Sequence, residues 1–236
     1  MQPSPSGKYL IEAICGVSVL LSTDWVVRTA PALAQITSDG SFNTLVNQSA
    51  TDSCAAAVCE ITGGQLTDSG SLLLHSFDEF SLPAASGPQS ALFIDPGVAD
   101  IVVRVTGNRE SFINGTLAAS TGSTANLFLV NSQGISFGPQ AQLNVGGDFT
   151  VSTASEILFD GGIRLASNTA SSATSALLTV SQPVGLGFLA NAQGNSTSAP
   201  ITVTSTGNLL VFGSRDRPAD QFVNRQFRQS QAPLPP

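Results

Sequence analysis

The chain has 236 residues, a formal net charge of −7 and 42% hydrophobic residues, but only 11% of its residues are charged. This length and hydrophobic content are sufficient for one sizeable core, and many all-β proteins of this length form a single domain. A nucleic-acid-binding groove requires clustered Lys and Arg to displace counterions, whereas the only lysine here is Lys8, near the N-terminus, so the composition excludes that class.

Residues 1–34 predict an export signal peptide. Lys8 supplies positive charge, the stretch YLIEAICGVSVLL at 9–21 is apolar, and a small-x-small pattern ends at Ala34, as signal peptidase requires. We therefore expect cleavage between Ala34 and Gln35 and export of the mature chain. An N-terminal membrane anchor is the alternative, for which the apolar stretch is short, since a spanning helix needs about 20 apolar residues.

Cys54 and Cys59 are the cysteines that remain once the signal peptide is removed. In an oxidising compartment a lone pair favours a disulfide, here across a tight hairpin. Closing so short a loop stabilises a fold by roughly 2 kcal/mol on the chain-entropy estimate. Half of a metal site is the alternative, but it needs further ligands, and the chain has one histidine. We expect a structural disulfide and no bound metal.

From residue 125 onward, apolar residues recur in pairs spaced two apart, which places both members of a pair on one face of a strand. Gly, Asn or Asp punctuates many of the gaps between pairs. Three steps between pairs cover about 22 residues, which is typical of one turn of a coil of short parallel strands. The pairs are Leu127/Leu129, Ile135/Phe137, Leu143/Val145, Phe149/Val151, Ile157/Phe159 and Ile163/Leu165.

Stacked coils bury an inner apolar face that no coil buries alone, and the first coil then needs a cover. This predicts a solenoid with coils at residues 100–213 and a cap in the less periodic region 35–99. An antiparallel sandwich is the alternative, with longer strands joined by hairpins, and one hairpin signal occurs at Asn114-Gly115.

After Leu165 the rhythm breaks, and the polar stretch 166–176 predicts a loop that leaves the coil. Residues 214–236 hold four arginines, end in prolines and lack a burial pattern, so we expect a disordered or loosely docked tail. Between these two segments the apolar residues that resume the rhythm are Leu178/Val180, Val184/Leu186/Phe188, Ile201/Val203 and Leu209/Val211.

Several motifs together carry a family resemblance. The most specific is ANLFLVNSQGISFGPQAQLNVGGDFTVSTA at 125–154. The others are ITSDGSFNTLVNQ (36–48), CEITGGQ (59–65), LLHSFDEFSLP (73–83), DIVVRVTG (100–107) and ING (113–115). In order and spacing, from about Ile36 to Leu165, they resemble the filamentous haemagglutinin N-terminal domain, the secretion domain of two-partner secretion exoproteins.

This resemblance implies an all-β fold, a right-handed parallel β-helix (a solenoid) with an N-terminal cap and a small extra-helical hairpin. It also implies a function without catalysis or a cofactor. The domain reaches the periplasm, is recognised by the periplasmic domains of an outer-membrane pore, crosses that pore unfolded and folds outside. The residues that the resemblance assigns to secretion are Asn126, Asn131, Gly134 and Ile135.

One motif departs from the family pattern, which usually reads Asn-Pro-Asn-Gly-Ile. The chain keeps Asn131, Gly134 and Ile135 but has Ser132 and Gln133 in place of the proline and the second asparagine. Both replacements suit a turn, although serine does not fix the backbone as proline does. We expect the fold to survive this change.

An enzyme is the main alternative function, because parallel β-helices also carry polysaccharide lyases and glycoside hydrolases. Such enzymes need carboxylates clustered on one face, and nothing places Asp148, Glu156 or Asp160 one full coil apart on the same face. His75 is followed by Ser76, but residues so close in sequence rarely form a catalytic triad. We expect His75 to be a hydrogen-bonded histidine of the cap.

Two further interpretations remain open. The chain is a secreted or cell-surface protein, adhesin-like, that meets a host or cell-surface carbohydrate through its Ser- and Thr-rich faces, or it is a truncated member of the family without function. Arg104 and Arg109 flank a strand and a turn, and we expect both on a solvated face; contact with an acidic partner is the alternative.

Overall fold

The computed structural model describes residues 35–49, 53–54, 56–83, 87–188, 198–204 and 210–212. The predicted signal peptide, with Ala34 of its cleavage site, and the predicted tail at 214–236 lie outside these residues. Within the described ranges, no helix is long and apolar enough to cross a membrane.

The described residues form short strands and almost no helix. One short helix, α1, spans Ser175–Leu178, and 3-10 turns lie at Ser41–Asn43 and Asp160–Gly162. The strands are β1 (Ile36–Ser38), β2 (Thr44–Val46), β3 (Ser53–Cys54), β4 (Val58–Gly63), β5 (Gln65–Leu66), β6 (Leu72–Phe80), β7 (Ser90–Phe93), β8 (Asp100–Val105), β9 (Ser111–Ile113), β10 (Thr116–Ala119), β11 (Asn126–Asn131), β12 (Ile135–Phe137), β13 (Gln142–Asn144), β14 (Phe149–Ser152), β15 (Glu156–Phe159), β16 (Arg164–Ala166), β17 (Pro183–Gly187), β18 (Ile201–Val203) and β19 (Leu210–Phe212).

Three sheets of mainly parallel strands form the walls of a solenoid of about three turns. Sheet A has the strand order β14-β11-β8-β6-β1-β3, with β5 also paired to β6. Sheet B has the order β19-β13-β10-β7-β4-β2, and sheet C has the order β18-β12-β9. The chain visits sheets A, C and B in turn, for example at β8, β9 and β10, before it returns to sheet A. The predicted parallel solenoid is confirmed, and the sandwich alternative is wrong.

The coil repeat is visible in the register of sheet A. Leu127 on β11 pairs with Ile101 of the preceding coil and with Phe149 of the following coil. Leu127 and Ile101 are buried in the core that fills the solenoid, and Phe149 packs against the same core. One turn of the coil therefore runs from Leu127 to Phe149, as the spacing of the apolar pairs predicts.

The predicted coil strands at Ile157/Phe159 and Ile163/Leu165 are wrong. These residues lie in or next to β15 and β16, which pair antiparallel with each other. The predicted return to the coil at Val184/Leu186/Phe188 is also wrong, because Val184 and Leu186 lie on β17, which pairs antiparallel with β15. The chain leaves the solenoid after β14 and returns at β18 and β19, which stack in parallel on β12 and β13. An apolar residue at every second position suits a coil wall and an antiparallel sheet equally, so periodicity alone does not separate them.

We call residues 153–188 the flap. It contains α1 and sheet D, ordered β16-β15-β17, and its hairpin of β15 and β16 lies outside the coil. Its apolar side packs on the outer face of sheet A and forms a second core there. This core comprises Phe42 of the cap, Leu72, Leu74, Val102 and Val130 of sheet A, and Ala154, Ile157, Phe159, Leu165, Leu177 and Val180 of the flap.

The N-terminal cap extends sheets A and B with antiparallel strands. β1 pairs antiparallel with β6 and β3, and β2 pairs antiparallel with β4. Parallel stacking begins where β6 pairs with β8 and β4 pairs with β7. It therefore begins inside the segment 35–99 that the sequence assigns to the cap.

Cys54 and Cys59 are both buried in the cap, with their Cα atoms 5.9 Å apart, a separation that a disulfide spans. Cys54 lies on β3 in sheet A, and Cys59 lies on β4 in sheet B. A disulfide between them would join two walls of the solenoid. The expected hairpin between the two cysteines is not formed, because their strands pair with different partners.

Candidate functional site

Asn126 is the first residue of β11 and connects three successive coils. Its Nδ2 donates to Oδ1 of Asp100 on the preceding coil at 2.8 Å. Its Oδ1 accepts a hydrogen bond from the backbone N–H of Asp148 on the following coil, also at 2.8 Å. Asparagine suits this position because its amide carries both a donor and an acceptor.

Asn131 is the last residue of β11, and its side chain is fully buried. Its Nδ2 donates to the carbonyl oxygen of Arg109 and to Oγ of Ser111, each at 2.9 Å. Its Oδ1 accepts from the backbone N–H of Gln133 at 2.9 Å, which forms an Asx turn. Asn131 thus shapes the corner between β11 and β12 and fastens it to the preceding coil.

Gly134 closes this corner. Its N–H donates to the carbonyl oxygen of Asn131 at 3.2 Å, and its own carbonyl oxygen accepts from the N–H of Ser111 at 3.0 Å. Its φ is +118°, a backbone conformation that favours glycine. A side chain at this position would be strained and would also crowd Glu110, whose Cγ lies 3.3 Å from where a Cβ would stand.

Ile135 begins β12 and is the apolar anchor of the corner. It is fully buried in the core of the solenoid. On sheet C it lies in register between Ser111 of the preceding coil and Ile201 of the following one. Its N–H donates to the carbonyl oxygen of Pro200 at 3.2 Å.

Ser132 occupies the second position of this turn, where the family pattern has proline. Its Oγ is buried and has no hydrogen-bond partner. Leaving a buried hydroxyl unpaired costs about 1–3 kcal/mol. Proline is favoured at the second position of such a turn, because the ring fixes the required φ. The corner is therefore formed here by a residue that suits it less well than proline.

In the folded domain, the residues that the resemblance assigns to a secretion motif hold one coil against the next. Asn131, Gly134 and Ile135 are buried, and Asn126 is half-buried. The side-chain amide of Asn131 is bonded within the chain through both of its polar atoms. Little of the motif is exposed for contact with another protein once the solenoid has formed.

The carboxylates considered for catalysis each have separate surroundings. Asp148 lies just before β14, whereas Glu156 and Asp160 lie in the flap. Glu156 Oε2 pairs with Arg164 Nη1 at 2.9 Å, and Asp160 accepts hydrogen bonds from the N–H and Oγ of Ser181. Among the described residues, there is no group of three His, Cys, Asp or Glu side chains that could hold a metal.

His75 lies on β6 inside the solenoid, near the cap, and is fully buried. Its Nδ1 lies 3.4 Å from Oγ1 of Thr44, and its Nε2 has no hydrogen-bond partner. Burial lowers the pKa of His75 to about 3, so the ring is neutral at physiological pH. Within the part of the chain that the structure describes, the ring has no hydrogen bond to a Ser or a carboxylate that could complete a catalytic triad.

Arg104 is the residue that the sequence interpretation missed, because it was expected on a solvated face. It lies on β8 and is fully buried under the flap. Every residue of β8 is buried, including the charged Asp100 and Arg104. The available signal was the apolar residues on both sides of Arg104 within DIVVRV, which are typical of a strand covered on both faces.

Asp39 is the acidic neighbour of Arg104 in the cap. Its Oδ2 accepts from Oγ of Ser76 at 2.6 Å and from Oγ1 of Thr106 at 2.7 Å. Burial acts to raise the pKa of Asp39, but hydrogen bonds from Ser76, Thr106 and Ser41 outweigh it and lower the pKa below 3.8. Asp39 is therefore ionised at neutral pH.

A family model described as "TPS secretion domain" matches residues 34–213, a range that contains the described cap, solenoid and flap. No curated protein and no solved structure matches the chain. The match covers well over half of the 236 residues. The fold and this match together show that the chain belongs to the family of TPS secretion domains, the two-partner secretion domains that the sequence motifs resemble.

Proposed function

We propose that a partner outer-membrane pore recognises this chain in the periplasm and transports it unfolded, and that the chain folds into the solenoid outside the cell. Family membership carries this proposal, because it makes the chain a secretion domain of a two-partner secretion exoprotein. The family is not an enzyme family. The proposed mechanism is recognition followed by folding, without bond chemistry.

The burial of the motif supports recognition before folding. Asn131, Gly134 and Ile135 are covered in the solenoid, and Asn126 is bonded to two neighbouring coils. A partner that reads these residues must therefore meet the unfolded chain. In this proposal they serve twice, first as the sequence that the pore recognises and then as the corners of the coil.

The topology supports folding as the chain emerges. Each parallel strand of the solenoid pairs with a strand one coil earlier, as β11 does with β8 and β14 with β11. A completed coil therefore offers an edge on which the next coil can form, and no contact between distant ends of the chain is needed first. Burial of the new apolar face favours movement in the outward direction.

The start of the family match supports export through a cleaved signal peptide. The match begins at residue 34, beside the predicted cleavage between Ala34 and Gln35. Exposure to an oxidising periplasm would then allow Cys54 and Cys59 to form their disulfide.

The test is co-expression with an outer-membrane pore that accepts this family, followed by measurement of the chain in the medium and in the periplasm. We expect the chain in the medium only when the pore is present. A domain with an intact Asn-Pro-Asn-Gly-Ile motif is the control for a working pore. If the chain stays in the periplasm while the control is exported, restoring Ser132→Pro with Gln133→Asn should rescue export. Failure of that rescue would contradict the proposal for this pore.

A matched pair of variants tests the assigned residues. Asn131→Ala removes the amide from the motif, whereas Asn168→Ala removes the same group from an exposed position in the flap. We expect loss of export for the first variant and normal export for the second. Capture by the pore's periplasmic domains separates loss of recognition from loss of folding. Equal export of both variants would show that Asn131 is not part of the motif that export requires.

A role at the cell surface is the second part of the proposal. Phe112, Ser136 and Thr202 lie side by side on the outer face of sheet C, and Phe112 is 37% exposed. An exposed ring beside hydroxyl groups suits contact with a sugar, and a cell-surface carbohydrate is therefore the proposed ligand. Binding of the secreted domain to immobilised glycans tests this role. Binding that survives Phe112→Ala unchanged would exclude this face.

A further inference from the structure

Arg104 joins three parts of the chain that are distant in sequence. Its Nη1 donates to the carbonyl oxygen of Ala166 at 3.0 Å and to Oγ of Ser171 at 3.1 Å, and its Nη2 donates to the carbonyl oxygen of Ser171 at 2.8 Å. All three acceptors lie in the flap. The two ends of the guanidinium fork thus hold the segment that connects β16 to α1.

The other side of the guanidinium faces the cap. Its Nε donates to Oγ of Ser76 at 2.8 Å, and Ser76 in turn donates to Asp39. Burial lowers the pKa of Arg104 to about 10, against the opposing effect of the Asp39 charge, so the side chain remains a cation at neutral pH. Arg104 therefore links the flap to a carboxylate in the opening segment of the cap.

Phe42 adds a second contact between the cap and this arginine. The guanidinium carbon of Arg104 lies 4.4 Å from the centre of the Phe42 ring, within the range of a cation–π interaction. Phe42 adopts a φ of +56°, a left-handed conformation that a non-glycine residue adopts only when its surroundings enforce it. This backbone places the ring in the second core, against the flap and sheet A.

The flap covers a surface that is unusual for the outside of a solenoid. Leu72, Leu74, Val102 and Val130 form an apolar outer face on sheet A, and all four are buried by the flap and the cap. Two hydrogen bonds at the far side of the flap also join it to the body, from Asp68 N–H to the carbonyl oxygen of Leu178 and from Ser71 Oγ to that of Ser181.

We infer that Arg104 is a latch that holds the flap on sheet A and makes its docking depend on a completed cap. Arg104 bonds the flap through the carbonyl oxygens of Ala166 and Ser171 and through Ser171 Oγ. Ser76, which is bonded to Asp39, and the Phe42 ring hold the guanidinium from the cap side. A domain with an unfinished cap would leave the flap undocked and the apolar face of sheet A exposed. This inference concerns the folded domain and does not depend on the proposed function.

Hydrogen exchange of the folded full-length chain, resolved by peptide, tests the latch. For Arg104→Met, which keeps the apolar stem, we expect amide exchange in β15, β16 and β17 to accelerate by about tenfold or more, with little change in β9 and β12. Arg164→Met is the matched control, because Arg164 lies in the flap itself with a side chain that is 64% exposed. The control should change exchange in the flap far less than Arg104→Met does, because the arginine of its ion pair with Glu156 is largely exposed.

Asp39→Asn tests the dependence on the cap. Asp39 accepts its hydrogen bonds from Ser41, Ser76 and Thr106, all outside the flap. Faster exchange in the flap of this variant would therefore show coupling through Arg104.

If flap exchange is unchanged in Arg104→Met and in the Arg104→Met/Asp39→Asn double variant, the latch is wrong. Uniform acceleration that includes β9 and β12 would also overturn it. If Arg104→Met does not fold, Arg104→Lys, which loses the fork but keeps the charge, takes its place with the same criteria.

Discussion

His75 shows at the scale of one residue how strongly the solenoid interior selects against charge. Its ring packs 5.7 Å from the ring centre of Phe93 and 6.3 Å from that of Phe77. Its Nε2 has no partner, and burial lowers its pKa from 6.5 to about 3. The folded state therefore excludes the proton that the unfolded chain binds readily.

This difference makes stability depend on pH. Between pH 6.5 and about 3 the unfolded chain holds more protons at His75 than the folded chain, so the free energy of unfolding decreases as the pH is lowered through this range. From pH 6.5 to 5 we expect a loss of about 2 kcal/mol. Urea unfolding at pH 7 and pH 5 measures it, and His75→Leu should lose this part of the pH dependence.

Asp39 does not obscure this range. Despite the opposing effect of burial, hydrogen bonds lower the pKa of Asp39 below 3.8, so its contribution to stability is present above that pH and is lost only as the pH falls further. An equal loss of stability between pH 7 and 5 in the His75→Leu variant and the unaltered protein would show that His75 is not the titrating group.

For Ser132→Pro we predict a gain in the free energy of unfolding, in contrast to the loss predicted at low pH. The residue is not among those with positive φ, and the hydrogen bonds that close its turn use Asn131, Gln133 and Gly134. Ser132→Pro should therefore fit the turn, remove an unpaired buried hydroxyl and restrict the unfolded chain. We expect about 0.5–1 kcal/mol more stability in chemical unfolding. A destabilised variant would mean that the turn needs the serine amide.

At the scale of elements, the corners of the coil depend on how closely one backbone approaches the next. Gly146 lies between β13 and β14, and a Cβ there would overlap the carbonyl oxygen of Ser123 on the preceding coil. Glycine is required because of this approach, since Gly146 is not among the residues with positive φ. The need for glycine at this corner thus comes from the close approach of the neighbouring coil more than from the backbone conformation.

Gly146→Ala should therefore lower the free energy of unfolding by about 2–3 kcal/mol, because the neighbouring coil must move. Gly185→Ala is the control, since the nearest atom to its added Cβ is a Leu158 methyl at 3.5 Å and its φ is not left-handed. The control should change stability by less than about 1 kcal/mol. Similar losses in both variants, compared by urea unfolding, would contradict the importance of this corner.

The cysteine pair gives a prediction for the cap. Cys54 and Cys59 lie in different sheets with their Cα atoms 5.9 Å apart, so their disulfide would join two walls of the solenoid at its N-terminal end. Alkylation without reductant should leave both thiols unmodified in chain purified from the periplasm or medium. Reduction should lower the unfolding free energy by roughly 2 kcal/mol. Two free thiols in the native protein would refute the disulfide.

The coil and the flap differ in how well the sequence predicts them. The turn from Leu127 to Phe149 was predictable, because inward apolar pairs repeat at the length of one coil. The flap was not, because Ile157 and Leu165 alternate in the same way in an antiparallel sheet. The burial of Arg104 could have been inferred from the apolar residues around it in DIVVRV, but its acceptor Ser171 is 67 positions away in sequence, and no local pattern reports such a partner.

At the scale of the whole molecule, the proposed function gives the same residues a part in folding and in recognition. The solenoid buries the proposed secretion motif at the corner between β11 and β12, where Asn131 and Ile135 are fully covered. Under the proposed function, a partner would therefore read these residues before the chain folds and not afterwards.

Binding of the pore's periplasmic domains to folded and unfolded forms of this chain tests most directly whether recognition precedes folding. Ile101→Asp places a charge in the fully buried interior of the solenoid and should prevent folding while it leaves the motif intact. We expect the periplasmic domains to bind this variant at least about tenfold more tightly than the folded chain, and Asn131→Ala in the same background to weaken that binding. Equal or tighter binding of the folded solenoid would contradict the claim that recognition precedes folding.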